Sequence, residues 1–585
     1  MRFFSGTFLA LAAVLAVQRP VLSIPADLLL VNARVYTLAW DEPDRNGRPA
    51  SNAPRGPLGW HPDAQAIAIR GGRIALVGTT MQALTLKGPR TRVIDAAGAT
   101  VLPGLVDVHV HIAELGASLE RVNLVGVRTE AEAVERVEAR ARQTPKGQWI
   151  VGWGWDEGAW ANQYPDITLL SARVPDHPVL LRGLHSFASW GNRLAFERSG
   201  ITSDSRPPDG GEIKKDAGGQ PTGLLLNNAS RLIETAIPPP TPADLERRII
   251  AGLNALAAGG FVAVHEAGAD RTLMRALEAL EVAHKLPLRV YAMLAARDET
   301  LLLDWRKKGP DRTPGELNAR MLVTNAVKAF YDGALGSRGA QLLDDYADRP
   351  GHRGTGGEEV GFKPDALAAM MRAGFQIVIH AIGDRANRET LDFFERTFAA
   401  RPTARAGRHR IEHAQVLSPN DIPRVAALGL IASMQPGHAV EDMAWAEQRL
   451  GRDRIRGAYA WRSVRRDGAR MVLSSDLPGS DYNIFYELHA AVTRRDRALQ
   501  PPGGWYPDER LTPEEALRGY TTWPAFAGFA ETQTGVLANG RWADITVMDA
   551  DPLVAGSDAP ERLLKGSIMM TIVGGRVVYD KKAMR

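Results

Sequence analysis

An α/β fold is predicted by three features: eight apolar runs alternating with helical stretches, short strand-like segments at both chain ends, and a strand, VLPGLVDVHVH (101–111), that closes on two histidines. Eight strand–helix alternations are the count of a (β/α)8, TIM-like barrel. The expected strands lie near 104–111, 261–266, 288–295, 323–331, 375–380, 409–413, 429–435 and 470–475. Intervening helices carry start and stop signals. Thr241-Pro242 opens TPADLERRIIAGLNALAAGG and Gly259-Gly260 closes it; Ser418-Pro419 precedes DIPRVAAL, with Gly429 after it. The interval from about 113 to 240 is too long for a single crossover, so an inserted subdomain is expected there.

The chain ends read differently. Segments 27–37, 66–78 and 91–101 are short strands around a loop at 41–64 rich in Pro, Gly and Asn, and similar strands recur in TGVLANGRWADITVMD and SIMMTIVGGRVVYD. Both ends together are expected to build one small β-sandwich domain, its halves being 24–100 and, with the end of the barrel, 481–585, while 101–480 form the barrel. A chain of 585 residues exceeds what one core normally supports. Residues 1–23, with Arg2 before FFSGTFLALAAVLAV, read as a signal peptide, because the run is shorter than the ~20 residues of a bilayer span. Export to a periplasmic or extracellular space follows, with no membrane anchor after cleavage. No cysteine is present for lipid attachment or a disulfide, and an oxidising compartment does such a chain no harm. With 71 basic against 67 acidic residues, and RSVRR read as a solvated helix end, no nucleic-acid partner is implied. Whether the chain forms a homodimer stays open.

Side chains two apart on a strand share a face, so His109, His111 and Asp107 point to one place that can hold a metal. His-x-His alone is weak evidence. Here Lys328 in NAVKAF, His380 in FQIVIHA, His413 in RIEHAQ and Asp476 in VLSSDLPG each stand at or near the end of an apolar run. A lysine inside such a run pays heavily for its charge, so its amine should be partly neutral and able to capture carbon dioxide as a carbamate. The alternative is a lysine paired with Asp332 or Glu412.

With IDAAGATVLPGLVDVHVH, WDEGAW, PTG, VHEAG, VKAFYDGALGSR, HAIGD, RIEHAQ, SMQPGH and TGVLANGRWADITVMDADPL in order, the chain resembles the metal-dependent amidohydrolases, specifically family 3 and its N-substituted formamide deformylase branch. The resemblance implies a barrel with a smaller β-rich domain and a metal site at the barrel mouth, with His109, His111, Lys328 as a bridging carbamate, His380, His413 and Asp476 as ligands. Two divalent cations suit that set. Imidazole and carboxylate ligands point to zinc, though manganese, iron or nickel accept the same donors. The expected reaction is attack of a metal-bridging hydroxide on a small-molecule amide or related C–N bond, with Asp476 passing the proton to the leaving nitrogen or serving only as a ligand.

His185, whose Gly183-Leu184 stands where the family carries Asp-Gly, is expected to contact substrate, close the site or only pack; His438 to contact substrate or be an exposed loop histidine; His265 to contact substrate, stand behind the site or be structural; and Trp155 to contact substrate. Asp384 is expected to orient His380 or to cap a helix. Trp149, Trp153, Trp160, Tyr164, Phe187 and Trp190 should mostly pack the insertion, one or two walling a pocket. Asn227 and Val262 replace the Glu and Thr frequent in relatives. An esterase or lactonase would use the same centre, and an exported binding protein without catalysis would keep only the fold.

Overall fold

The computed structural model describes residues 24–156, 160, 164–183, 188–311 and 320–583. The expected signal segment lies outside them. Eight parallel strands form the central sheet: β1 Leu105–Val110, β2 Phe261–Ala269, β3 Arg289–Ala295, β4 Leu322–Phe330, β5 Gln376–Ala381, β6 Arg410–His413, β7 Ile431–Met434 and β8 Arg470–Leu473. Each pairs with its neighbours in sequence order. Beyond β8 the chain returns to β1: Asp476 N–H donates to His109 O at 3.0 Å and His111 N–H to Leu477 O at 3.1 Å, which closes the barrel at its carboxyl end. Those two bonds also bring Asp476 beside the two histidines. The strand ranges match the apolar runs closely, except that β2 continues to Ala269 through a bulge at Gly268, whose φ of +125° suits glycine.

Strands from both chain ends meet in one sheet, Arg34–Val35, Thr100–Pro103, Ile545–Met548, Ile568–Val573 and Arg576–Asp580, which faces a four-stranded sheet from the amino-terminal segment alone. Leu30, Val35, Ile67, Ile69, Val101, Ile545, Val547 and Ile572 fill the space between them. The sandwich grips the amino ends of the barrel strands. Thr546 Oγ1 accepts from Leu105 N–H and donates to Gly260 O, and buried Arg289 pairs with Asp544 at 2.8 Å.

After β1, helix Ile112–Glu120 still belongs to the barrel layer. It crosses helix Pro242–Ala258 so closely that a Cβ on Gly116 would sit 1.9 Å from Arg248 O. The inserted unit therefore begins at Val122 rather than 113. It is a six-stranded sheet spanning Val122 to Asn227, covered on one face by helix Glu130–Ala141 and cored by Val134, Val137, Trp155, Leu181 and Trp190. The chain returns through Thr241, which forms a capping box with Asp244 ahead of Pro242, as the sequence signals predict. Among the described residues, no helix is long and apolar enough to cross a membrane.

Candidate metal centre

Parallel strands of a closed barrel deliver all their carboxyl ends to one mouth, and His109, His111, Lys328, His380 and His413 are gathered there around Asp476. His109 Nε2 and His111 Nε2 lie 3.4 and 3.5 Å from Asp476 Oδ1, and His438 Nε2 lies 3.6 Å from Oδ2. Two sets of donor atoms fall within 4.8 Å of one another, His109–His111–Asp476 and His413–His438–Asp476. Lys328 Nζ is 3.5 Å from His109 Nε2. The ring of His380 stands 4.5 Å from that of His413, beside the second set.

The imidazoles are held in the orientation that ligation needs. His109 Nδ1–H donates to Glu412, and Glu412 is clamped by Arg410 through two bonds of 2.8 Å. An ionised carboxylate only accepts, so the proton stays on Nδ1 and the Nε2 lone pair faces the mouth. Burial alone would raise Glu412, but Arg410 and His109 hold it well below the usual carboxylate range. His413 Nδ1 bonds Gln435 Oε1 at 2.8 Å, and the Gln435 amide is itself fixed by Ser474 Oγ at 2.8 Å. Burial pushes His413 down to about 3 and His380 well below its ordinary value, so both rings are neutral. His380 Nε2 is buried without a hydrogen-bond partner, 3.6 Å from Asp332. Neutral imidazoles with oriented lone pairs around an ionised carboxylate fit divalent metal ions.

Lys328 is almost fully buried, and burial lowers its amine from 10.5 to about 8, against the opposing pull of Glu412 and Asp476. Neither expected partner pairs with it directly. Glu412 is engaged by Arg410 and His109, while Asp332 accepts N–H groups from Gln341, Ile382 and Gly383. The lysine instead lies 4.2 Å over the Phe330 ring. Asp476 is also buried, which would raise it, but His109, His111, His413 and His438 keep it well below the usual carboxylate value.

Several expectations are corrected. Asp107 does not reach the mouth: it accepts from Ser475 N–H and Oγ at the β1–β8 seam, buried deeply enough to be pushed up to about 7. His265 points down the barrel, 3.1 Å from Arg410 and stacked on Tyr291, while the next residue, Glu266, faces the mouth and accepts Ile112 N–H at 2.7 Å. Trp155 is fully buried in the insertion, donating to Leu181 O and packed against Trp160 and Trp190, so it walls no pocket. Asp384 accepts from Leu343 and Arg385 N–H groups and makes no bond to His380; Asp332 is the acid beside that ring. His438, expected to touch substrate, stands among the candidate ligands instead. His185 and Phe187 lie outside the described residues.

Glu412, Gln435 and Glu266 were missed as site residues. The first had a signal in RIEH, since residues two apart on a strand share a face and Arg410 and Glu412 are an opposite-charge pair at that spacing; nothing near Gln435 or Glu266 marks their partners. A cavity of about 550 Å³ opens from His111, Glu266 and Lys328 across the ends of β2, β3 and β4.

A profile of the amidohydrolase family matches residues 92–579. The chain belongs to that family. Among relatives of this chain, the protein LONG AFTER FAR-RED 3 of Arabidopsis thaliana is 29% identical over 96% of this chain and 93% of its own length. The N-substituted formamide deformylase of Arthrobacter pascens is 27% identical over 88% of this chain and 95% of its own. An uncharacterized metal-dependent hydrolase from Pyrococcus furiosus superposes with a TM-score of 0.69 at 27% identity, covering 90% of this chain and 99% of that one. Family and site together are those of a metal-dependent hydrolase.

Proposed function

We propose that this amidohydrolase cleaves a non-peptide amide or related C–N bond of a small molecule, with two divalent metals, zinc foremost, held by His109, His111, His380, His413, Asp476 and a carbamate on Lys328. The observation that carries the reading is the convergence of two histidine sets on one carboxylate, with a buried amine 3.5 Å from His109. His438 joins the second set and is proposed as a further ligand or as a group that steadies Asp476.

Metals bound there would polarise a carbonyl and acidify a water. Asp476, kept ionised by its imidazole neighbours, can accept a proton and return it to the departing nitrogen, which must be protonated before a C–N bond breaks. Glu412 and Gln435 fix the tautomers of His109 and His413 throughout. Resemblance to the formamide deformylase supports a C–N substrate over an ester.

The test is elemental analysis of purified protein followed by a hydrolysis screen of N-formyl and N-acyl amines beside matched esters. About two metals per chain, lost with amide hydrolysis on chelation, is the expected result. Metal-free protein with full hydrolysis would overturn the metal assignment, and ester turnover without amide turnover would favour an esterase.

A further inference from the structure

The cavity that leaves the metal centre has an uneven charge lining. Glu266 is engaged by Ile112 N–H, Asp270 caps helix Arg271–Val282 through Leu273 N–H, and His111 and Lys328 belong to the centre itself. Arg297 is the exception among the lining cations. No described residue gives its guanidinium a carboxylate or carbonyl partner, although acids are close at hand in sequence. Asp298 accepts from the N–H groups of Arg271 and Leu301 and from the Thr300 hydroxyl, and Glu299 pairs with Lys363. The other basic side chains near this rim are also paired, Arg271 with Asp304 and both Arg247 and Arg248 with Glu120.

Its position relative to the centre is set by the backbone. Ala295 stands opposite Lys328 in the β3–β4 register, and Ala296 N–H donates to Lys328 O at 2.8 Å. Arg297 follows at once, exposed, in the turn that Asp298 N–H closes on Ala295 O at 3.0 Å. A small molecule can therefore span from the guanidinium to the metal centre. The lining also carries the apolar side chains of Leu245, Leu273, Phe330 and Val360.

We propose that Arg297 binds a carboxylate of the substrate, a few bonds from the scissile amide, while the apolar part of the molecule lies against Leu273, Phe330 and Val360. The inference rests on the amide-hydrolase reading above. A guanidinium offers a planar pair of donors that matches a carboxylate, and such charge-assisted pairs are the stronger hydrogen bonds. Glu114, on the β1 side of the same cavity, would repel a second anionic group, so a monocarboxylate fits better than a dicarboxylate.

The experiment compares racemic N-formylphenylalanine with its decarboxylated counterpart, N-formylphenethylamine, on metal-loaded protein. Wild type should favour the acid about tenfold or more in kcat/KM, mostly through KM, because the contact is made equally in ground and transition states. That preference should weaken in added salt. Arg297→Ala and Arg297→Gln should bring the ratio close to one, with Arg297→Lys in between. A ratio near one in wild type, or an unchanged ratio in Arg297→Ala, overturns the inference and leaves amide hydrolysis standing. If neither compound is hydrolysed, the hydrolase reading fails for these amides and calorimetric binding of the acid decides. Binding weakened about tenfold or more in Arg297→Ala, without a like change for the neutral compound, upholds the carboxylate site; equal binding, or none to wild type, refutes it.

Discussion

Replacing Lys328 tests the centre at its least ordinary residue. Burial takes the amine from 10.5 to about 8. At pH 7 an amine at about 8 is neutral in roughly one molecule in ten, against about one in 3,000 at 10.5, so burial raises the carbamate-forming species about 300-fold. At a fixed concentration of dissolved carbon dioxide, reconstitution of metal-free protein with zinc should therefore speed up about tenfold per pH unit below about 7 and level off above about 8. Lys328→Ala should lose at least one of two metals and nearly all turnover. Formate, acetate or propionate, entering the space left by the side chain, should restore part of the metal binding, whereas Lys328→Arg should not respond, because its guanidinium stays positive and fills the gap. Elemental analysis and turnover with and without added carboxylate read the outcome. A Lys328→Ala protein that keeps two metals and ignores carboxylates refutes the bridging role.

Three further outcomes are expected. Glu412→Gln replaces a charged acceptor that can only accept with a neutral amide that can also donate to His109, and leaves Arg410 without its buried counter-charge, so metal affinity should fall about 10- to 100-fold, as competition with a chelator would measure; unchanged affinity would exclude this role. Trp155→Ala should cost about 3–5 kcal/mol in denaturant unfolding of the inserted unit while metal content stays the same, since Trp155 fills that core and not the cavity. Export by the amino-terminal segment predicts a mature protein that begins near Ile24, and amino-terminal sequencing that finds Met1 retained would exclude it.

The barrel and four of its strand-end groups were legible because their signals are local. An apolar run of fixed length makes a strand, and a histidine at its carboxyl end must face the mouth, as His109, His380 and His413 do, with Asp476 just past β8. Capping residues such as Thr241 likewise act within one turn of helix. Other assignments depended on which side of a strand faces which neighbour. His265 and Glu266 are adjacent, yet the β2 pleat sends one down the barrel to Arg410 and the other to the mouth, and the sequence marks only the histidine. Trp155 was misplaced because an aromatic cluster looks the same whether it cores a sheet or walls a pocket.

Sequence by itself determined the α/β alternation, the contribution of both chain ends to the β domain, and the donor types, because propensity, periodicity and side-chain chemistry belong to the residue and its near neighbours. Tertiary structure alone decided that Glu412 orients a histidine 303 positions away, that His438 shares Asp476 with His413, and that Arg297 lines the cavity without a carboxylate or carbonyl partner among the described residues. Such contacts arise when a closed barrel brings distant strand ends within a few ångströms, a distance that no local pattern encodes.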